Sequence, residues 1–432
     1  MTAIALFTRD LRLADNPVLV SAGADVIPLF VESSESAPRS PNQVAYLRES
    51  LRELDRSLQN LGSSLVYRHG DFAAEIAKVV EESGAQALHV GRDAPARAQQ
   101  RVQVLRERLS IPVTEHDSIM VVDPGAISPA SAAHYQRFTP YFKRWRAADR
   151  RPVLATPTKL RPHAVSTHPI PEAQTADTSP DRQVGGERAA RGRFGAWLPK
   201  SIEYGDTRDQ LAEDGTSRIS AALHFGELSA LEVVEAGIEY DADEFVRQIA
   251  WRDFNHQLLF HRPALEHEGL RASTIHTSTD EDALDAWRQG MTGYPVVDAA
   301  MRQLLATGWM HNRARMLTAS FLTKHLLQDW RIGAEWFLMW LTDADIANNQ
   351  LGWQWVAGVG VDTNPWRMFN PTLQSRRYDP DGDYIKRWVP ELSASWVDDV
   401  HDPSEDARRR SGYPTRIIEH PDAVQRFKAR SR

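Results

Sequence analysis

The sequence predicts an α/β N-terminal domain built on a doubly wound parallel sheet, followed by an all-α C-terminal domain. Three observations carry that prediction. Short apolar runs of strand length alternate with helical segments up to about residue 125. Beyond about residue 200 strand signals nearly vanish and helix-length apolar periodicity takes over. All 13 Trp lie at or beyond Trp145, and 12 lie at or beyond Trp197, so the chain is compositionally two pieces. At roughly 150 residues per domain, 432 residues suffice for two or three domains. With 42% hydrophobic and 25% charged residues, the chain can bury a sizeable core.

In order, the strand-like runs are 3–7, 26–30, 64–67 and 87–90, with a further short strand near Val113. The clearest helix between them places Val44, Leu47, Leu51, Leu54, Leu58 and Leu61 three or four apart, one apolar stripe of a 3.6-residue period. Weaker helical patterns cover 72–80 and 96–109. Strand–helix alternation implies parallel pairing through crossovers, hence a sheet of about five strands over 1–125. No GxGxxG follows the first strand, so no dinucleotide site is inferred there. Residues 126–200 read as a connection, with a short aromatic and basic helix at 138–146. Within it 163–188 carries Pro169, Pro171, Pro180, Gly185 and Gly186 among Ser, Thr and Asp, the composition of a mobile surface linker. The helical domain runs over 201–432, with helices at 244–261, 296–308, 311–327 and 334–340. Arg408, Arg409, Arg410, Arg426, Lys428, Arg430 and Arg432 read as a solvated basic tail.

Composition excludes several chemistries. With zero Cys there are no disulfides, thiolate zinc sites, cysteine-ligated clusters or cysteine nucleophiles, and a reducing cytoplasm is the expected compartment. No run of about 20 apolar residues spans a membrane. Met1 leads into a strand-like run with Arg9 and Asp10 close behind, unlike a signal peptide. The net charge of −7 argues against indiscriminate nucleic-acid binding but not against a local basic groove.

Three segments mix Trp, Asn, Arg and Asp. At 214–220 the hydroxyls of Thr216, Ser217 and Ser220 precede a helix, where they and free backbone N–H groups suit an anion; an ordinary N-cap is the plainer reading. On a helix over 245–255, Gln248, Trp251, Arg252 and Asn255 fall at i, i+3, i+4 and i+7 and share a face suited to a flat, polar-edged ligand; a buried aromatic beside a salt-bridged Arg is the plainer reading. The third segment comprises 309–316 and 343–355. Asn349 and Trp353 are one helical turn apart there, with Asp343 and Asp345 at the favourable end of the helix dipole. His311 has no partner at metal-ligand spacing and reads as structural.

These segments resemble the photolyase/cryptochrome family, and within it the bacterial cyclobutane pyrimidine dimer photolyases. The similarity runs through 7–17 (FTRDLRLADNP), 138–145 (FTPYFKRW), 216–220 (TSRIS), 292–302 (TGYPVVDAAMR), 308–313 (GWMHNR), 349–355 (NQLGWQW) and 369–372 (FNPT), nearly the whole chain in the family's order. The resemblance implies a non-covalent FAD in the helical domain. Tyr204, Thr216, Ser217, Arg218, Ile219 and Ser220 would hold its phosphates and ribityl chain. Phe245, Gln248, Arg252, Asn255, Arg315, Asp343, Asp345 and Asn349 would surround the rest. Arg252 and Arg315 would favour an anionic reduced flavin, Asp343 would orient Arg315, and Asn349 would face flavin N5 with an amide that donates or accepts. Trp251 and Trp355 match two indoles that wall the flipped dimer, with Gln248 and Met316 beside it. Extrusion of the target base from the duplex is an established property of photolyases. Arg208, Asn312, Arg313 and Gln374 match positions that meet DNA.

The implied activity is light-driven cleavage of the cyclobutane carbon–carbon bonds, by one electron from excited reduced FAD. The implied partner is DNA containing pyrimidine dimers, the implied state a monomer without a membrane. A second, antenna chromophore is implied in the first domain, an 8-hydroxy-5-deazaflavin or 5,10-methenyltetrahydrofolate, with 41–47 more similar to deazaflavin-type members. A cryptochrome-type blue-light receptor without repair is the alternative. Two positions depart from the pattern. Gln248 stands where dimer photolyases of this type carry Glu. Photolyases for (6-4) lesions also use Gln there, but carry paired His at the places of Asn312 and Met316, so that substrate is disfavoured. Of the family's three electron-relay indoles, Trp353 matches the inner and Trp330 the middle one, whereas the outer position holds Thr277, flanked by His276 and Ser278. Trp287, Trp336 and Trp340 are alternative exits by sequence proximity, each read first as core.

Overall fold

The computed structural model describes residues 1–33, 40–273, 277, 279–362 and 364–430. It packs as two units, one of residues 1–177, 184–204 and 217–263, the other of 178–183, 205–216 and 264–432.

The first unit holds five parallel strands, β1 (Ala3–Leu6), β2 (Val26–Glu32), β3 (Val66–His69), β4 (Ala87–Gly91) and β5 (Val113–His116), in the order β3-β2-β1-β4-β5. Ala3 pairs with Val26 on one side and Ala87 on the other. Helices α1 (Pro17–Ala22), α2 (Pro41–Asn60), α3 (Phe72–Ser83) and α4 (Ala96–Arg108) make the crossovers. The α2 stripe is as its spacing predicts: Leu47, Leu51, Leu54 and Leu58 are buried, and Ser40 caps the helix by accepting from the Gln43 N–H. Strand β3 begins two residues later than the apolar run at 64–67, because the Ser64 carbonyl accepts from His163 instead of joining the ladder.

The sheet order reverses between β1 and β4, where doubly wound sheets bind nucleotides. Here the chain fills that crevice itself. Arg12, fully buried, donates to the carbonyls of Ala14, Asp15, Ser118 and Gly226. Gly226 has φ 70°, and a Cβ there would collide with the Arg9 carbonyl.

The start of the segment expected as a mobile linker, with Leu160 just before it, is tied down. Leu160 is buried, its N–H donating to Leu61, and the His168 N–H donates to Tyr67 on β3 while Thr167 Oγ1 accepts from the Tyr67 N–H. β3 is an edge strand, and these bonds cover polar groups that an open edge would expose. Composition marked the segment as irregular; irregular backbone is not free backbone when an edge needs partners.

Helices α5 (Phe138–Arg146), α6 (Glu187–Trp197), the single turn α7 (Tyr204–Thr207), α8 (Ser220–Phe225), α9 (Ala230–Glu239) and α10 (Asp243–His261) follow. Packing divides the region expected as one helical domain from residue 201: residues 217–263, with α8 to α10, belong to the sheet's unit. One buried carboxylate shows why. Asp253 Oδ2, on α10, accepts from the N–H groups of Val121 and Val122, just past the sheet, and from the Trp145 indole on α5. Burial raises the Asp253 pKa above the ordinary carboxylate range.

The second unit is helical among the described residues: α11 (Glu281–Gln289), α12 (Pro295–Thr307), α13 (Asn312–Ser320) running into a π-turn (Phe321–His325), α14 (Trp330–Trp340) and α15 (Ile346–Ala357), then α16 (Pro371–Tyr378), α17 (Asp383–Trp388), α18 (Val397–His401), α19 (Glu405–Ser411) and α20 (His420–Arg430). Trp287, Met301, Leu304, Phe321, Phe337 and Trp353 centre its core. Arg408 departs from the expected solvated tail. It is buried and donates to the carbonyls of Pro403, Gly293 and Pro414, so it ties loops together, whereas Arg426 and Lys428 are exposed on α20.

Candidate functional site

In the first unit, α10 presents the predicted face. Gln248, Trp251 and Asn255 are half-buried and Arg252 is buried. The Trp251 ring lies flat on Phe138 of α5, with centroids 3.7 Å apart and planes 6° from parallel, and Phe254 meets it edge-on. Arg247, one turn before Trp251, lies over Phe138 and Phe142 at 5.2 and 5.0 Å. Trp251 is therefore held on one face by a rigid aromatic layer. Arg252 donates to the carbonyls of Ile119 and Leu223 and lies 3.4 Å from Asp253 Oδ1, so its guanidinium is fixed from three sides. The Gln248 amide nitrogen donates to the Glu244 carbonyl at 3.4 Å. Phe245 faces inward, edge-on to Tyr204 at 5.8 Å and tilted against Trp197 at 4.7 Å.

Thr216, Ser217, Arg218 and Ser220 are half-buried and Ile219 is buried, just before and at the start of α8. Arg218 takes φ 49°, a left-handed turn uncommon for a residue with a side chain. The segment is thus a bent approach to a short helix, with Ile219 rather than a hydroxyl residue at the cap.

In the second unit, Arg315 Nη2 and Asp343 Oδ2 pair at 2.8 Å, and Arg315 Nε donates to the Met310 carbonyl. Asp343 Oδ1 is buried without a hydrogen-bond partner among the described residues. Asp345 caps α15 by accepting from the Asn348 N–H. Asn349, one turn on, donates to the Ala334 carbonyl at 3.1 Å and the Gln350 side chain at 3.0 Å. Trp355 is half-buried with Arg367 over its ring at 5.2 Å. Arg313 pairs with Asp209 at 2.9 Å and lies over Tyr378 at 4.3 Å. Asn312 is exposed, one turn from half-buried Met316; Arg208 and Gln374 are half-buried. His311 caps α13 by accepting from the Arg313 N–H, the structural role its isolation suggested. No group of three or more His, Cys, Asp or Glu among the described residues could hold a metal.

Trp353 and Trp330 are both buried. Gly333, one turn beyond Trp330 on α14, lies against the Trp353 ring so closely that a Cβ would collide with it. Trp353 also meets Trp287 edge-on at 6.2 Å and Phe337 at 5.0 Å. Trp287 is fully buried, as its core reading requires, and Trp336 and Trp340 are half-buried 5.9 Å apart. Thr277 is exposed; His276 and Ser278 lie outside the described residues.

Sequence reasoning missed Arg247, Arg367, Asp209 and Gly333, and met Phe138 only as part of the 138–145 motif. Arg247 lies one turn from Trp251 on the same helix, Asp209 and Arg367 support Arg313 and Trp355 from other segments, and none of the three carried a local signal. Gly333 carried one, since a glycine inside a helical pattern marks a close approach.

Comparison with known proteins bears on both units. Residues 3–162 match the family model described as DNA photolyase, and residues 245–432 the one described as FAD binding domain of DNA photolyase. A deoxyribodipyrimidine photo-lyase from Streptomyces griseus is 43% identical, covering 98% of both chains. A bacterial class III photolyase from Agrobacterium tumefaciens superposes with TM-score 0.92 at 33% identity, covering 99% of this chain and 96% of that one. A cryptochrome from Synechocystis superposes with TM-score 0.91 at 26% identity, covering 99% of both. No helix among the described residues is long and apolar enough to cross a membrane.

Proposed function

Since this chain belongs to the DNA photolyase family, we propose that the residues assembled above hold FAD and a flipped pyrimidine dimer. The protein repairs pyrimidine dimers in DNA with light, and FAD is its cofactor. When bound and reduced, FAD supplies on excitation the single electron that splits the cyclobutane ring and is then returned.

The observation that carries the site assignment is Asp343. One carboxylate oxygen fixes Arg315, and the other is buried with no partner among the described residues, an acceptor that fits an N–H or hydroxyl of FAD. Arg315 and Arg252 would each offer positive charge to a reduced, anionic flavin. Asp345 holds the start of α15 and so sets the position of Asn349, whose side chain would lie beside the flavin ring with its amide oxygen left to accept. Tyr204 and Phe245 with Gln248 and Asn255 line the cofactor, and residues 216–220 bind its phosphates and ribityl chain. Trp251 and Trp355 offer flat apolar surfaces to the dimer, Gln248 its amide to a thymine edge, and Met316 an adaptable contact beside them. Arg208, Asn312, Arg313 and Gln374 bind the flanking DNA. Trp353 and Trp330 would carry electrons inward to an oxidised flavin.

A second chromophore in the domain of residues 1–125, 8-hydroxy-5-deazaflavin or 5,10-methenyltetrahydrofolate, and a cytoplasmic monomer complete the reading, supported by the family's organisation and the absence of Cys. Residues 126–200 then connect it to the catalytic part, 201–432. The likeness to the Synechocystis cryptochrome supports a second reading, a light receptor without repair. One assay separates them. Chemically reduced holoprotein mixed with an oligonucleotide carrying one thymine dimer restores two thymines under blue or near-UV light and not in the dark; no restoration in light would leave only the receptor.

A further inference from the structure

The helical unit holds a cavity whose described lining includes none of the residues assigned to FAD and DNA. It measures about 430 Å³ and has Trp330, Gln328 and Thr277 in its wall. Ala357 and Val359 give it apolar surface.

Gln328 is the decisive side chain. It is 2% exposed, yet neither its amide nitrogen nor its amide oxygen meets a partner among the described residues. A buried amide left in that state is costly, and because Gln328 lines the cavity, a ligand there that both donates and accepts would satisfy it. An amide both donates and accepts, and a hydroxyl can answer either role. The charged groups of the wall balance. Arg331 is paired with Asp329 at 3.1 Å and also donates to the His267 carbonyl, Arg271 donates to the Asp362 carbonyl, and Glu268 is exposed. Two cations and two carboxylates leave little preference for an ion. Trp330 adds an aromatic surface, with the Arg331 guanidinium 4.9 Å over its ring. A flat neutral ring with one hydroxyl matches every feature.

We propose that this cavity binds a neutral phenol, its hydroxyl on the Gln328 amide and its ring beside Trp330, and that the bound phenol is the outer electron donor of this chain. Thr277 stands where the family's relay would place an indole, and the same residue lines the cavity. During light-driven reduction of oxidised flavin, one electron is drawn inward through Trp353 and Trp330, leaving Trp330 one electron short. The phenol returns that electron and is oxidised to a phenoxyl radical. Its hydroxyl proton passes to the exposed Glu268 carboxylate and on to water. The donor role rests on the flavin reading above; binding of the phenol does not.

Ligand-observed NMR of holoprotein with 4-methylphenol tests binding. Saturable binding is expected, with Gln328→Leu weakening it about tenfold, the effect of losing one hydrogen bond to a buried amide. Leu removes the unsatisfied group, so the variant should fold. Thr277→Trp should fill the space and exclude the phenol. The initial rate of flavin photoreduction should rise with 4-methylphenol and saturate at the concentration that saturates binding. Trp330→Phe should remove that acceleration while the phenol still binds. No binding, or equal binding by Gln328→Leu, overturns the site. Acceleration that is linear in phenol and unchanged in Gln328→Leu shows a donor colliding from solution, and overturns the donor role. Dimer repair by chemically reduced holoprotein is scored separately; its absence beside intact phenol binding counts against the repair reading alone.

Discussion

Two carboxylates illustrate how a single group is set by its surroundings. Glu227 is fully buried, its oxygens accepting from the Tyr46 hydroxyl at 2.5 Å, the Ser50 hydroxyl at 2.5 Å and the Gly186 N–H. Burial outweighs these bonds and pushes its pKa up to about 7. The native state therefore holds this proton more tightly than the unfolded chain between the ordinary value, 4.5, and about 7. Stability should fall as pH rises through that window and level off above it. Glu227→Gln should flatten the dependence, read as the thermal midpoint from about pH 5 to about pH 8; an unchanged slope would assign it to another group. Asp343 is held by Arg315 at 2.8 Å and assigned to the cofactor. Asp343→Asn keeps the shape and removes the charge. FAD affinity, titrated by flavin fluorescence on apoprotein, should fall roughly tenfold to a hundredfold, the range for a hydrogen bond to a charged group. Unaltered affinity would remove Asp343 from the site.

Helices α5 and α10 act together. Phe138 and Arg247 back the Trp251 ring, so its other surface is presented with little rotamer freedom to lose. Trp251→Ala should cost about 1–3 kcal/mol of lesion affinity, the worth of one base–aromatic stack, while FAD content stays near the wild-type level. Fluorescence anisotropy with a dimer-containing oligonucleotide and flavin absorbance after gel filtration measure the two. Equal loss of both would show that α10 had shifted rather than lost a stacking surface. In the second unit, α14 and α15 meet where Gly333 admits the Trp353 ring, which sets that indole's place between Trp287, Phe337 and the turn that carries Trp330.

The whole molecule carries a net charge of −7, so its affinity for DNA has to come from a local arrangement of cations. If Arg208 and Arg313 meet phosphates, lesion binding should weaken linearly in log–log form with salt, and Arg313→Ala should reduce that slope by about one. Arg313 is paired with Asp209 and laid over Tyr378, so it is pre-positioned at a fixed point. Binding that ignores salt would show that these arginines do not meet phosphates.

Local pattern was enough for the parallel sheet, the α2 stripe, the face of α10 and the acidic start of α15, because apolar period and helix-end chemistry act over a few residues. The family motifs, which lie in order along nearly the whole chain, carried the flavin and the light-driven chemistry. Packing alone decided that residues 217–263 join the sheet's unit, since Asp253 finds its donors about 110 to 130 positions away in sequence. It decided that 163–168 is held along β3, because an edge strand needs partners that composition does not announce. It turned Arg408 inward, where three carbonyls from separate loops satisfy a guanidinium that reads as solvated in a run of arginines. Gln328 gave no signal in the sequence at all. An amide is ordinary until the fold closes around it, and only the enclosed space shows that both of its polar atoms still lack a partner among the described residues.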